Sequence, residues 1–166
     1  MKHPAIIFDL DGTLLDSLAD LAASVNHALQ THGMPTRSID EVRTFVGNGV
    51  RHLMSEAVVP GTASSLFEQV FATFRHHYAE HCMDTTAPYP GIREMLTALQ
   101  QRNIRTAIVS NKIHSAVEAL HQRFFAETID TAIGESSTIR RKPHPDGLQE
   151  AMRRLGSTPE TSLYVG

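Results

Sequence analysis

The chain has one cysteine, Cys82, so it can close no disulfide within itself. It has no apolar run approaching the length of a membrane span. It has no surplus of positive charge: 15 Lys and Arg stand against 18 Asp and Glu, a formal net charge of −3 with ten histidines counted as neutral. Nothing electrostatic therefore favours nucleic acid as a partner. Internal repeats and low-complexity segments are absent. Met1-Lys2-His3-Pro4 leads directly into an apolar run, without the pattern of a signal peptide. Together these absences predict a cytoplasmic protein with no membrane and no nucleic-acid partner.

What remains is an ordinary globular composition, 41% hydrophobic and 20% charged over 166 residues. That length suits one domain, or a small domain carrying an insertion. The most informative stretch is Ile6-Ile7-Phe8-Asp9-Leu10-Asp11-Gly12-Thr13. The apolar, β-branched start reads as a buried strand. A spacing of two in an extended chain puts Asp9 and Asp11 on one side, and Gly12 allows a sharp turn. Paired carboxylates repel unless a cation or a shared proton relieves them. Oxygen donors of this kind favour Mg²⁺. Taken alone, Asp-Gly after a strand is also a common turn signal.

From Asp16 the pattern turns helical. Leu18, Leu21, Ala22, Val25 and Leu29 share one face, with Ser17 or Asp16 as N-cap. Ser38 and Glu41 have capping-box spacing. Further helices are expected from about Val50 to Val58 and from about Ser64 to His81. Pro88-Tyr89-Pro90-Gly91 breaks the pattern, and strands then alternate with helices. Strands are expected over Arg105–Val109, Ile129–Ile133 and Ser162–Val165, with helices over Ile92–Gln101, Ile113–Arg123 and Pro145–Leu155. Such alternation predicts an α/β fold with a doubly wound parallel sheet. The expected core is 1–15 plus 86–166, with 16–85 inserted as a helical cap.

In open parallel sheets, ligands bind at the carboxyl ends of the strands. The first expected strand ends at Asp9 and Asp11, and the next at Ser110 and Asn111, a hydroxyl and an amide before a helix start, suited to phosphate. Lys142 lies between Arg141 and Pro143, which forces it out of helical geometry and lets its charge be aimed. Arg140 and Arg141 read as solvated basic residues. His77 and His81, spaced by four, with Cys82 beside them, lack a fourth metal ligand and read as a solvated helix face. Phe124-Phe125 reads as core.

Asp9-Leu10-Asp11-Gly12-Thr13, then Ser110-Asn111, then Lys142-Pro143, in that order, resemble the first three motifs of the haloacid dehalogenase superfamily. The helical insertion resembles the cap of its phosphatase members. Asp16-Ser17, the Gly47-Asn48-Gly49 loop with Arg51, Tyr89-Pro90-Gly91 and Asn111-Lys112 look most like its phosphoglycolate phosphatases. The resemblance implies Asp9 as nucleophile, through a phosphoaspartate, and Asp11 as general acid and base. It implies phosphate binding by Gly12, Thr13, Ser110, Asn111 and Lys142, and Mg²⁺ held by the Asp9 side chain and the Asp11 main-chain carbonyl. Arg51 would meet a substrate carboxylate. The implied activity is Mg²⁺-dependent hydrolysis of a small phosphomonoester, with 2-phosphoglycolate leading. The rival readings are a sugar phosphomutase and a catalytically impaired short form. The superfamily's fourth, acidic motif has no counterpart before Gly166. On the resemblance, the C-terminal part of the core is missing, and a poorly active, marginally stable species is expected.

Overall fold

The structure is a computed structural model and describes residues 4–166. The expected direct lead from Met1, Lys2 and His3 into the first strand lies outside the described residues. In chain order, strands β1 (Ala5–Phe8) and β2 (Leu15–Asp16) precede four helices. These are α1 (Leu18–Thr31), α2 (Ile39–Phe45), α3 (Val50–Ala57) and α4 (Ser64–His81). Then follow β3 (Ala87–Pro88), α5 (Ile92–Gln101), β4 (Arg105–Ile113), α6 (His114–Phe124), β5 (Thr131–Glu135), α7 (Asp146–Leu155) and β6 (Ser162–Val165). The chain divides into two compact units: the segment up to Asp16 with Ala87–Gly166, and Ser17–Thr86. No helix among the described residues is long and apolar enough to cross a membrane.

The first unit is an α/β layer structure. Its sheet has the order β5-β4-β1-β6, with every pairing parallel. β1 is central, and that position explains its apolar letters. Ala5 and Ile7 join Ala107, Val109 and Ile133 on one sheet face, where Ala151 and Leu155 of α7 cover them. Phe8 and Ile108 alternate with those residues and are also buried, as strand periodicity requires. α5 and α6 pack on β4. β2 and β3 form a short antiparallel pair, Leu15 opposite Pro88 and Asp16 opposite Ala87.

Two strand expectations need correction. β4 does not stop at Val109 but runs to Ile113, with an irregularity between those residues. Ser110 and Asn111 therefore lie inside a strand, and the following helix starts only at His114 with Ile113 as N-cap. β5 covers Thr131–Glu135, two residues later than its pattern predicts. Ile129, expected as its first residue, is buried in the preceding turn, where its carbonyl accepts a hydrogen bond at His121 Nε2, 2.9 Å away.

The second unit is all helix. Its core gathers Val25, Ala28, Leu29, Val42, Met54, Val70 and Phe74, with α1 packed along α4. Phe67, Phe71, Phe74 and Tyr78 of α4 stack in sequence, with centroids 5.9, 6.4 and 5.5 Å apart. The capping box forms: Ser38 Oγ accepts from Glu41 N–H at 3.2 Å, and the Glu41 carboxylate accepts from Ser38 N–H at 2.7 Å. Ser17 takes the N-cap position of α1 without a side-chain hydrogen bond to the helix.

Asp20, in the first turn of α1, is 3% exposed. Its carboxylate receives the N–H of Thr85 (3.0 and 3.1 Å), the N–H of Thr86 (2.9 Å) and both threonine hydroxyls (2.5 and 2.7 Å). Burial pushes its pKa up, but these donors outweigh burial and hold it below the usual range. The two ends of the helical unit are thereby tied to each other.

Candidate active site

The chemistry-bearing residues of the α/β unit converge at the carboxyl end of β1. Asp9 follows that strand, and its N–H continues the pairing with β6 by donating to Val165 O at 2.8 Å. The chain then folds tightly: the Leu10 carbonyl accepts from the N–H of Thr13, Leu14 and Leu15 at 3.3, 3.0 and 3.0 Å. Gly12 sits at φ +78 with open space where a Cβ would be, so the turn selects glycine by backbone conformation. The Gly12 N–H donates to Leu15 O at 2.9 Å. The backbone donors of Gly12 and Thr13 are thus spent within the turn, whereas the sequence expectation aimed them at phosphate.

Each aspartate has its own ammonium. Lys142 Nζ lies 2.9 Å from Asp9 Oδ1, and Asp9 Oδ1 also accepts from Leu10 N–H at 2.7 Å. Lys112 Nζ lies 2.8 and 3.0 Å from the two oxygens of Asp11. The repulsion expected between the carboxylates is eased by an ammonium beside each of them.

Lys142 is held at both its ends. Its Nζ also donates to Val109 O at 3.0 Å and to the Tyr164 hydroxyl at 2.7 Å. Its backbone N–H donates to Asn111 Oδ1 at 2.6 Å, while Asn111 Nδ2 donates to its carbonyl at 3.1 Å. Asn111 therefore braces the Lys142 backbone. Ser110, buried, accepts the Lys112 N–H on its Oγ at 3.2 Å, and a hydroxyl that accepts still has a hydrogen to donate. The loop before α7 is braced by Asp146, which takes a two-pronged contact from Arg140 (2.8 and 3.1 Å) and has His144 Nδ1 at 2.8 Å. Arg140 is exposed, as the sequence predicts, and pairs with this carboxylate. Hydrogen bonds from its guanidinium and backbone push the Asp146 carboxyl down to about 2.

Asp9, Asp11, Ser110, Asn111 and Lys142 thus belong to one unit and one sheet end. Arg51 belongs to the helical unit, where it pairs with Glu68 and lies over Phe67 and Phe71, 5.2 and 5.1 Å from the ring centroids. Sequence reasoning missed two members, Lys112 and Tyr164. Lys112 entered the sequence reading only within the Asn111-Lys112 resemblance, with no role assigned, and Tyr164 read as a plain strand residue.

The donors available to a cation are hard carboxylate and carbonyl oxygens. Among the described residues no group of three or more His, Cys, Asp or Glu converges on a point. Such a partial oxygen set suits Mg²⁺, which keeps waters and substrate phosphate in its shell and asks the protein for one or two carboxylates.

The family profile of haloacid dehalogenase-like hydrolases matches residues 6–166. A phosphoglycolate phosphatase of Pseudomonas putida is 36% identical over 167 residues, an alignment covering 97% of this chain and 61% of that protein. An N-acetylmuramic acid 6-phosphate phosphatase of Pseudomonas aeruginosa is 32% identical, covering 100% and 74%. The crystal structure of a predicted phosphoglycolate phosphatase from Haemophilus somnus superposes with a TM-score of 0.88 at 29% identity, covering 100% of this chain and 77% of that one. The chain thus spans about three-fifths to three-quarters of the length of these curated relatives.

Proposed function

We propose, because the chain belongs to the haloacid dehalogenase-like hydrolases, that it hydrolyses a small phosphomonoester through a phosphoaspartate on Asp9, with Mg²⁺ as cofactor. The observation that carries this is the pair Asp9 and Asp11 at the end of a central parallel strand, paired with Lys142 of the loop before α7 and Lys112 of β4 respectively. The curated relatives support a phosphorylated acid as substrate, since both are named for a phosphate ester of an acid. 2-Phosphoglycolate is the leading candidate. A lone buried thiol, Cys82, fits a cytoplasmic protein.

Asp9 Oδ attacks phosphorus and the P–O ester bond breaks. Asp11 gives its proton to the departing alkoxide. Water then attacks the phosphoaspartate, its proton passes to Asp11, and phosphate leaves with the Asp9 carboxylate restored. Ser110 and Lys142 carry the charge on the phosphoryl oxygens, while Asn111 keeps the Lys142 backbone in register. Gly12 and Thr13 shape the turn behind the nucleophile. With Asp11 carrying the proton it gives up, the Asp9 carboxylate and the two ammoniums do not balance an arriving phosphate dianion, which needs further positive charge. The Asp9 carboxylate and the Asp11 main-chain carbonyl would hold Mg²⁺, and the ion would supply that charge. Arg51 is the proposed contact for the substrate carboxylate.

Release of phosphate from a panel of phosphoesters, with Mg²⁺ and with EDTA, tests the proposal. The expected result is Mg²⁺-dependent release, lost by about a thousandfold or more in Asp9→Asn. Absence of release from every ester, or full activity in Asp9→Asn, overturns it.

A further inference from the structure

We propose that Lys112 is the positioning residue of Asp11, fixing the orientation in which that carboxyl reaches the leaving oxygen; this rests on the phosphatase reading above. A lysine side chain only 3% exposed is costly unless its charge is met. Here it is met by both oxygens of one carboxylate, 2.8 and 3.0 Å away and 101 residues distant in the chain. Contact through both oxygens keeps the carboxyl group centred on the ammonium, where contact through one oxygen would let it swing aside.

The lysine itself is anchored by its backbone. Its N–H is held by Ser110 Oγ at 3.2 Å, within the irregular part of β4. Its carbonyl lies against Gly134, where a Cβ would stand 2.5 Å from Lys112 O and 2.7 Å from His114 Cα. Gly134 thus lets β5 approach this part of β4 as no other residue would. Asp9 meanwhile is served by Lys142, so nucleophile and acid are oriented independently. A salt bridge that only stabilised the fold would gain little here, because burying two charges offsets most of their attraction. Orientation of a reacting group is a use for which the burial cost is repaid, since small misplacements are expensive in rate.

The role predicts a dependence on the leaving group. An alkyl phosphate requires the Asp11 proton as its alkoxide departs, whereas 4-nitrophenolate departs without one. Lys112→Met should lower kcat/KM for an alkyl phosphate at least tenfold more than for 4-nitrophenyl phosphate. Adding it to Asp11→Asn should leave the alkyl-to-aryl ratio of the single Asp11→Asn variant unchanged. Lys112→Gln carries the same test if the methionine variant does not fold. Equal losses on both esters in an active, Asp9-dependent enzyme overturn the role of Lys112 and leave the phosphatase reading standing. Failure of the wild-type chain to release phosphate from either ester, or indifference to Asp9→Asn, overturns the phosphatase reading and this role with it. A crystal structure of Lys112→Met with the Asp11 carboxyl unmoved also overturns the positioning role.

Discussion

The two units each hold carboxylates among close donors, and they do so with opposite kinds of partner. In the helical unit, Asp20 is closed in by neutral donors, two backbone N–H groups and two hydroxyls from Thr85 and Thr86. In the α/β unit, Asp9 and Asp11 face the ammoniums of Lys142 and Lys112. Backbone donors cannot leave without unfolding the segment that carries them. An ammonium on a long stem can turn to another anion, and Lys142 already has Val109 O and Tyr164 to fall back on. The first arrangement serves permanence, the second exchange.

The largest expected effect follows from that contrast. Asp20→Ala takes the acceptor from four donors, two of them on buried Thr86, and should cost about 2–4 kcal/mol. Asp9→Ala should cost under about 1 kcal/mol, since Lys142 keeps its other acceptors. Urea unfolding followed by helical circular dichroism reads both; equal losses would break the contrast. Next in size is the capping box: Ser38→Ala should remove about 1 kcal/mol from the helical unit and leave phosphate release unchanged.

The smallest effect is acid sensitivity, which should separate the units by pH. His77 of α4 stacks between His27 of α1 and His81, with centroids 4.1 and 4.2 Å away, and its Nδ1 is 3.0 Å from Ser24 Oγ. Burial first, then the neighbouring imidazoles, push its pKa down, against the pull of Asp84 and Glu80. The folded unit therefore binds this proton less readily than the unfolded chain does. Stability should be full above the ordinary histidine value, about 6.5, and fall as pH drops from there through the lowered value. In the α/β unit, Asp146 and Glu150 are pushed down to about 2, held by Arg140 and by Arg153 and Arg154 respectively. What they contribute is present above the ordinary carboxylate range and lost only toward pH 2. A melting series from pH 7 to pH 4 should show helical signal weakening first; His77→Phe should flatten that slope.

Much of this architecture was legible because it is written locally. The stripe from Leu66 to Tyr78 has helical period, and α4 spans Ser64–His81 as the pattern predicts. Ser38 and Glu41 sit three residues apart and form their box. Asp9 and Asp11 announce themselves by following an apolar run. Where the reading failed, the deciding partner is distant in sequence. Ser110-Asn111-Lys112 looks like the end of a strand, yet β4 continues because Ile113 pairs with Glu135 across the sheet. Asn111 finds the Lys142 backbone, and Lys112 finds Asp11, over separations no local window spans. His77 looked solvated because its partners on α1 lie about fifty residues upstream.

The irregularity in β4 bears on how this chain can vary. Between Val109 and Ile113, successive residues answer to different places: Ser110 to the Lys112 N–H, Asn111 to the loop before α7, Lys112 to Asp11. Adding or removing one residue there would send each of the following side chains to the opposite face. An exchange of one letter costs one of these contacts, whereas a single-codon insertion or deletion severs all three together. Over this run the fold depends more on the spacing of the residues than on any one of their identities.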